Sequence, residues 1–492
     1  MTSQESRATL ADMILGLAAR HGDRPALVQG ARIVSYAGLA RDAARLAHAL
    51  RARGVAPGDQ VGLCLRDGID GMTALAALWM LDAVPVPVDF RNRADERQRL
   101  VQEFDLTCIL EDRDVGGGTY PAILWDGALA EAAAAQPDHP PETLAAGIHP
   151  AVISLTSGTT ARPLGIVMGH RTLLLRALGY ALESDYPMGA RFLNAYPLSF
   201  SASRHHTLGH LVRGGTVLFH PPTFGAAELA HRVQAEAIDF LFAVPATVSA
   251  LLDLAGEGGQ PFFPGLKMLY CGGSGMSAED KRRAHARLTP GFLHCFSSSV
   301  SGTVSVLAGA DVAARADTDG RILPTVRAEI VDEADRPVAP GEVGAMRVRS
   351  HGMAEALYRG RARDTGDRIR DGWAHTGDLA RISADGFLTV VGRTSDLIIR
   401  GGANVHPAEV EGAIARLPGV REVAVVGFPD PALGEEIAAF VVGDARVTEA
   451  ALTAHCRLDL PPDKRPRRFV LIDALPRNAN GKVLRRDLRD RL

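Results

Sequence analysis

Cysteine is scarce in this chain, with five residues in 492 at Cys64, Cys108, Cys271, Cys295 and Cys456. None forms a Cys-x-x-Cys pair, which excludes a disulfide framework and a cysteine-built zinc site and points to reduced thiols in a cytoplasmic protein. An excess of one charge is also missing. The formal net charge is -3, so no overall field favours nucleic acid or an anionic membrane. Long apolar runs are absent: the stretch 74–81 stops at Asp82, far short of a membrane span. The opening residues MTSQESRATL lack the basic-then-apolar pattern of a secretory signal. What is present is an ordinary globular balance, 46 % hydrophobic and 23 % charged, in a chain long enough for roughly two to four domains.

Apolar periodicity predicts helices over 8–21, 37–54 and 70–82, with strands at 61–65 and 84–88. The alternation continues through strands near 192–196, 216–219, 239–243 and 267–271, which implies a mostly parallel sheet flanked by helices. From about residue 320 the pattern turns antiparallel, with strands at 326–331 and 344–349 around Pro340-Gly341. A glycine- and charge-bearing stretch, 392–402, then separates strand 387–391 from a helix at 407–417. The last hundred residues read as a compact α+β unit with strands at 423–427 and 437–442. The expected fold class is α/β: a large N-terminal domain of parallel-rich sheets with flanking helices and a small β subdomain, then a small mobile α+β C-terminal domain. The expected bounds are 1–392 (β subdomain roughly 320–392), a hinge at 393–396, and 397–492.

The most informative segment is Thr156-Ser157-Gly158-Thr159-Thr160, directly after the apolar run 151–155. Gly158 permits a tight turn and close ligand approach, while the hydroxyls and freed amides suit phosphate oxygens. Alone this is a common kind of turn. It stands in register with Ser35-Tyr36-Ala37-Gly38-Leu39, Gly54-Val55-Ala56-Pro57-Gly58-Asp59, Gly272-Gly273, Thr376-Gly377-Asp378, Gly392-Arg393, Gly401-Gly402-Ala403-Asn404 and Asn480-Gly481-Lys482. Over nearly its whole length the chain thereby resembles the adenylate-forming superfamily of acyl-CoA synthetases, peptide-synthetase adenylation domains and luciferases.

That resemblance implies an AMP-forming ligase. A carboxylate attacks the α-phosphate of ATP, pyrophosphate leaves, and a thiol of coenzyme A or a carrier phosphopantetheine displaces AMP. It places Thr156, Ser157, Gly158, Thr159, Thr160 and Ser299 on the phosphates. Gly272, Gly273, Ser274, Phe296, Asp378 and Arg393 fall on adenine and ribose, with Phe296 stacking on the base and Asp378 accepting the ribose hydroxyls. Lys482 becomes the catalytic cation of the first half-reaction. Gly401, Gly402 and Asn404 line the thiol passage, and Ser395 with Asp396 occupies the hinge. The stretch Lys464-Arg465-Pro466-Arg467-Arg468 either holds coenzyme A phosphates or an acidic carrier protein, or simply faces water.

Two positions depart from the family pattern. Leu164 stands where a lysine is habitual, and Val300 where relatives carry a glutamate that helps hold magnesium. Valine offers no oxygen to a hard cation, so the protein ligands of magnesium stay unassigned. Arg162 either substitutes for the lost lysine or points to solvent. The acid pocket is placed at Phe200, Ser203, Arg204, His205 and Ser298, with Val244-Pro245-Ala246 along another wall. Arg204, His205 and His206 either bring positive potential to an anionic substrate or cap the following helix. No aspartate stands where amino-acid-activating relatives hold an ammonium. Three outcomes stay open: an acid–thiol ligase, a divergent adenylating enzyme of secondary metabolism that activates another oxyanion such as nitrite to diazotise an arylamine acid, and a non-catalytic nucleotide-binding relic. Partners are a small-molecule acid and an acyl carrier protein, with oligomeric state open.

Overall fold

The computed structural model describes residues 9–492 apart from 67, 114–115, 117–118, 142–148, 157–162, 184–186, 222–223, 257, 360–361, 364–367 and 478–482. Local chemistry starts the early helices. Thr9 and Asp12 form a reciprocal capping box at the head of helix Leu10–His21, and Ser35 accepts from the Gly38 amide at 3.0 Å to start helix Tyr36–Ala52. The Tyr36 hydroxyl then reaches the carbonyls of Leu211 and Gly215 at 3.1 and 2.7 Å. The motif around residues 35–39 therefore pins this helix to the far end of helix Ser201–Val212.

A nine-stranded sheet forms the centre of the larger part. Its middle strands Pro25–Gln29, Thr216–Phe219, Arg191–Asn194, Phe240–Ala243, Met268–Cys271 and Phe292–Ser298 run parallel in that spatial order. Strands such as Phe240–Ala243 and Met268–Cys271 are buried along their whole length, as a parallel strand covered on both faces requires. A second, all-parallel sheet holds Val84–Pro87, Gln60–Cys64, Cys108–Glu111 and Ala122–Leu124. The hairpin Val152–Thr156 with Leu164–Met168 pairs onward to Ala356–Arg359 in a small antiparallel sheet.

Antiparallel strands Val326–Val331, Gly344–Ser350, Trp373–Ile382 and Leu388–Arg393 build a separate β layer. Its apolar face, with Ile330, Met346, Val348, Ala380 and Leu388, receives Val304 and Phe296 from the central sheet. After residue 397 a long hairpin, Val420–Asp430 with Gly434–Gly443, carries helices Pro407–Ile414 and Glu449–Asp459 over its own buried cluster. The elements follow the predicted α/β order closely. Helix ends differ by a few residues: the third helix spans Gly68–Met80, ahead of Asp82, whose φ of 56° ends the run.

Candidate active site

Strands Met268–Cys271 and Phe292–Ser298 are parallel neighbours with Cys271 beside His294. The loop leaving the first strand therefore runs along Cys295 and Phe296. A Cβ on Gly272 would stand 2.6 Å from the Cys295 sulfur, so only glycine fits there. Gly273 has φ +100°, a conformation that glycine adopts freely, and a Cβ on it would approach Val244 at 3.6 Å and Phe200 at 4.0 Å. The two glycines leave a flat ledge with Phe200 and Val244 on one side. Phe296, half-buried, follows Cys295 and leans on the β layer.

Asp378 and Arg393 face each other across the antiparallel strands of that layer. The guanidinium Nε lies 3.0 Å from Asp378 Oδ1, with the carboxylate side chain 5 % exposed and the arginine 38 %. Gly377, at φ +75°, turns the chain into the aspartate, whose amide donates to the Thr376 hydroxyl at 3.1 Å. A buried network with no motif of its own in the sequence joins this corner to the glycine ledge. Lys281 Nζ donates to the Thr318 carbonyl at 2.8 Å and lies 3.5 Å from Asp319 Oδ1. The other Asp319 oxygen accepts from the Val390 amide at 2.9 Å, in the strand that leads to Arg393. His294 sits 3.9 Å from the same aspartate and 3.3 Å from the Ser274 carbonyl. Burial, with Lys281 beside it, pushes the His294 imidazole well below its usual range.

Ser298 is engaged in its own turn, accepting from the Ser301 amide at 3.0 Å and lying 2.8 Å from the Ser301 hydroxyl. Ser299 is exposed at the tip. Val300 and Leu164 are 7 % and 5 % exposed and belong to the same large apolar cluster. Leu164 pairs directly with Thr156 across the hairpin. The two departures from the family pattern are thus packed residues; neither side chain is left facing solvent as an orphan of a lost ion pair. Thr156 is the last residue of its strand. Ser157, Gly158, Thr159, Thr160 and Arg162 lie outside the described residues, as do Gly481 and Lys482.

Phe200 precedes helix Ser201–Val212 and packs at ring distances of 5.9 Å on Tyr196 and on Phe242. Tyr196 is fixed in turn, accepting from the Val244 amide at 3.0 Å and lying 2.9 Å from the Thr247 hydroxyl. Ser203 is fully buried, bonded to Asn194 and to the Tyr196 carbonyl. Arg204 donates to the carbonyls of Leu198 and Ser199 at 2.6 and 3.0 Å and to the Ser154 hydroxyl. Burial, and then neighbouring Arg176, lowers its pKa to about 9.

The expected cationic patch needs correcting here. His205 and His206 are buried inside the helix, where desolvation holds both well below the usual imidazole range, so they are neutral. His206 packs among Phe240, Phe242 and Tyr270 at 5.3, 4.9 and 4.7 Å. They neither cap the helix, whose N-cap is Phe200, nor carry charge to its outside. Arg204 keeps a charge but spends its terminal donors on carbonyls and a hydroxyl within the fold.

Beyond the β layer, Gly401 and Gly402 turn at φ +56° and +85° between strands Ile398–Arg400 and Ala403–Val405, with Asn404 exposed. Ser395 and Asp396 lie in the short turn Thr394–Asp396. The cationic stretch is mostly engaged by its own surroundings. Lys464 is 2.7 Å from both Glu409 oxygens. Arg465 donates to the Leu460 and Arg457 carbonyls, and Arg468 to the Leu492 carbonyl. Arg467 is 65 % exposed, 3.7 Å from Asp430 and from Glu436. Among the described residues no group of three or more His, Cys, Asp or Glu is placed to hold a metal ion, and no helix is long and apolar enough to cross a membrane.

Residues 17–358 match the model of the AMP-binding enzyme family, and 409–482 that of the AMP-binding enzyme C-terminal domain. The chain is 31 % identical over 473 residues to a feruloyl-CoA synthase of Amycolatopsis sp, covering 95 % of each. It is 29 % identical to a fatty acid–[acyl-carrier-protein] ligase of Streptomyces coeruleorubidus, covering 95 % of this chain and 93 % of the relative. Its fold matches that of the O-succinylbenzoate coenzyme A synthetase of Bacillus subtilis, solved with ATP and magnesium ion, at a TM-score of 0.85 and 24 % identity, over 97 % of this chain and 99 % of the other. This chain belongs to the AMP-binding enzyme family and is an AMP-forming acid–thiol ligase.

Proposed function

We propose that Gly272, Gly273, Ser274, Phe296, Asp378 and Arg393 hold the adenosine of ATP at the junction of the central sheet and the β layer. The observation that carries this is the Asp378–Arg393 pair. A nearly buried carboxylate, 3.0 Å from a partly exposed guanidinium, accepts two ribose hydroxyls through its two oxygens. The glycine ledge offers a flat surface for the base, and Phe296 covers its other face. Thr156 through Thr160 receive the β- and γ-phosphates, and the exposed Ser299 faces the α-phosphate.

The substrate carboxylate then attacks the α-phosphorus, the bond to pyrophosphate breaks, and acyl-AMP forms. Lys482 brings a positive charge to the developing oxyanion and the leaving group. In the second step a thiolate attacks the acyl carbon and AMP departs. Coenzyme A is the acceptor, with a carrier-bound pantetheine as its alternative. Gly401, Gly402 and Asn404 give the arm its passage. The chain divides at 393–396, so that 397–492 swings over 1–392 between steps. Magnesium brought with ATP would screen the phosphate charge; Val300 would offer it no ligand, so the side-chain oxygens nearest the phosphates would be the hydroxyls of the Thr156–Thr160 segment.

The acid lies against Phe200 and Val244, beside a neutral aromatic wall of Tyr196, Phe242 and His206. This gives little support to an inorganic anion held by a cationic pocket, and neither relative named above is called a nitrite-activating enzyme. Five buried free thiols support a cytoplasmic setting.

Incubating the protein with ATP, magnesium and pooled carboxylic acids, with and without coenzyme A, tests the assignment. AMP that requires an organic acid, and thioester that requires coenzyme A, are expected. AMP that appears only with nitrite and an aminobenzoic acid would replace the acid–thiol assignment.

A further inference from the structure

Arg176 lies on helix His170–Glu183 and is buried beneath the Ser298–Ser301 turn. Its Nε donates to the Gly352 carbonyl at 2.7 Å. Its Nη2 donates to two consecutive carbonyls of the turn, Ser299 at 3.1 Å and Val300 at 3.0 Å. The Val300 carbonyl also accepts from the Ala354 amide at 2.7 Å, and the Ser301 carbonyl from the Ser350 hydroxyl at 2.6 Å. Three successive carbonyls are therefore held from outside the turn.

Two glycines make room for the arginine. A Cβ on Gly352 would stand 3.0 Å from Arg176 Cγ, and one on Gly302, at φ +80°, 3.5 Å from its Nε. The planar guanidinium presents its donors in a fixed fork, so it fixes the turn and the Gly352 loop relative to each other. Lysine cannot reproduce this, because its ammonium is a point donor on a flexible stem. The tip of the turn, Ser299, is exposed, and its hydroxyl makes no hydrogen bond among the described residues. Its direction is inherited from the backbone that Arg176 holds.

We propose that Arg176 is a positioning residue for adenylation: it touches no reactant, but aims the Ser299 hydroxyl at the α-phosphate by fixing the carbonyls of Ser299 and Val300, at the turn's tip and just after it. This rests on the adenylating function proposed above. A plain core staple would lower stability alone. A positioning residue changes turnover more than nucleotide affinity, and only while Ser299 has a hydroxyl to aim.

The test is a double-mutant cycle of Arg176→Lys with Ser299→Ala. It is read as kcat and KM for ATP in acid-dependent AMP formation, beside nucleotide binding by calorimetry and thermal melting. Arg176→Lys is expected to lower kcat about 10–100-fold with less than about a threefold change in KM for ATP. In the Ser299→Ala background the same substitution should cost less than about threefold. Equal losses in both backgrounds, or a loss confined to melting temperature, would overturn the proposal. If Arg176→Lys does not fold, Gly352→Ala displaces the arginine without removing it, and the same coupling to Ser299→Ala is expected or the proposal fails. AMP formation by the unaltered protein tests the adenylating function separately. Should none occur, calorimetry still decides the inference: the enthalpy of binding a non-hydrolysable ATP analogue should respond to Arg176→Lys only when Ser299 is present.

Discussion

At the Asp378–Arg393 corner, a carboxylate and a guanidinium meet where one partner stays partly in solvent. In helix Ser201–Val212, a guanidinium and neighbouring imidazoles are packed into the interior, and the arginine's terminal donors end on two carbonyls and a hydroxyl. The first arrangement leaves charge that a ligand can use. In the second, desolvation discharges the histidines and the fold occupies the arginine's two terminal nitrogens. A charge serves recognition when it is paired and reachable, and serves architecture when it is paired and sealed.

Substitutions separate the two regions. The largest effect is expected at Lys482, the cation proposed for the first step: Lys482→Ala should lower acid-dependent AMP formation about 10²–10³-fold with ATP binding largely retained, as measured by AMP release beside calorimetry. At the corner itself, Asp378→Asn removes the charged acceptor proposed for the ribose and should weaken ATP binding about 10–100-fold, in line with hydrogen bonds to charged groups. Equal ATP affinity in that variant would break the contrast. On the helix, Arg204→Met should shift melting temperature while changing ATP affinity less than about threefold.

Acid sharpens the contrast further. Burial pushes His210 down to about 3 and His205 and His206 well below 6.5. The unfolded chain binds protons at these histidines below about pH 6.5 and the folded chain does not, so stability falls as pH drops from about 6.5 toward the folded values. Each buried imidazole contributes a slope of about 1.4 kcal/mol per pH unit in that window. His210→Gln should therefore reduce the pH dependence of melting between pH 6 and 5, whereas Arg393→Lys should leave it unaltered. The smallest effect is expected at Lys464. Its ammonium is held by Glu409, and Lys464→Ala should change the KM for coenzyme A by less than about twofold.

Much of the fold was legible because its strands are short, apolar and bounded by turns. Runs such as FLFA at Phe240–Ala243 and MLYC at Met268–Cys271 can only be covered on both faces. The pairing of Asp378 with Arg393 was legible because their motifs stand in neighbouring antiparallel strands. Arg204-His205-His206 was misread because burial is a tertiary property: nothing local distinguishes a sealed imidazole from an exposed one. Lys281, Asp319 and Arg176 escaped notice for a related reason. Their partners, Thr318, Val390 and Gly352, are main-chain groups far along the chain, and a main-chain partner leaves no side-chain signature.

The most direct measurement is acid-dependent exchange of labelled pyrophosphate into ATP, run side by side on the unaltered protein, Asp378→Ala and Arg204→Met at a temperature where all three are folded. Exchange by the unaltered protein, its collapse in Asp378→Ala and its persistence in Arg204→Met are expected. Undiminished exchange in Asp378→Ala would contradict the placement of adenosine at the Asp378–Arg393 corner.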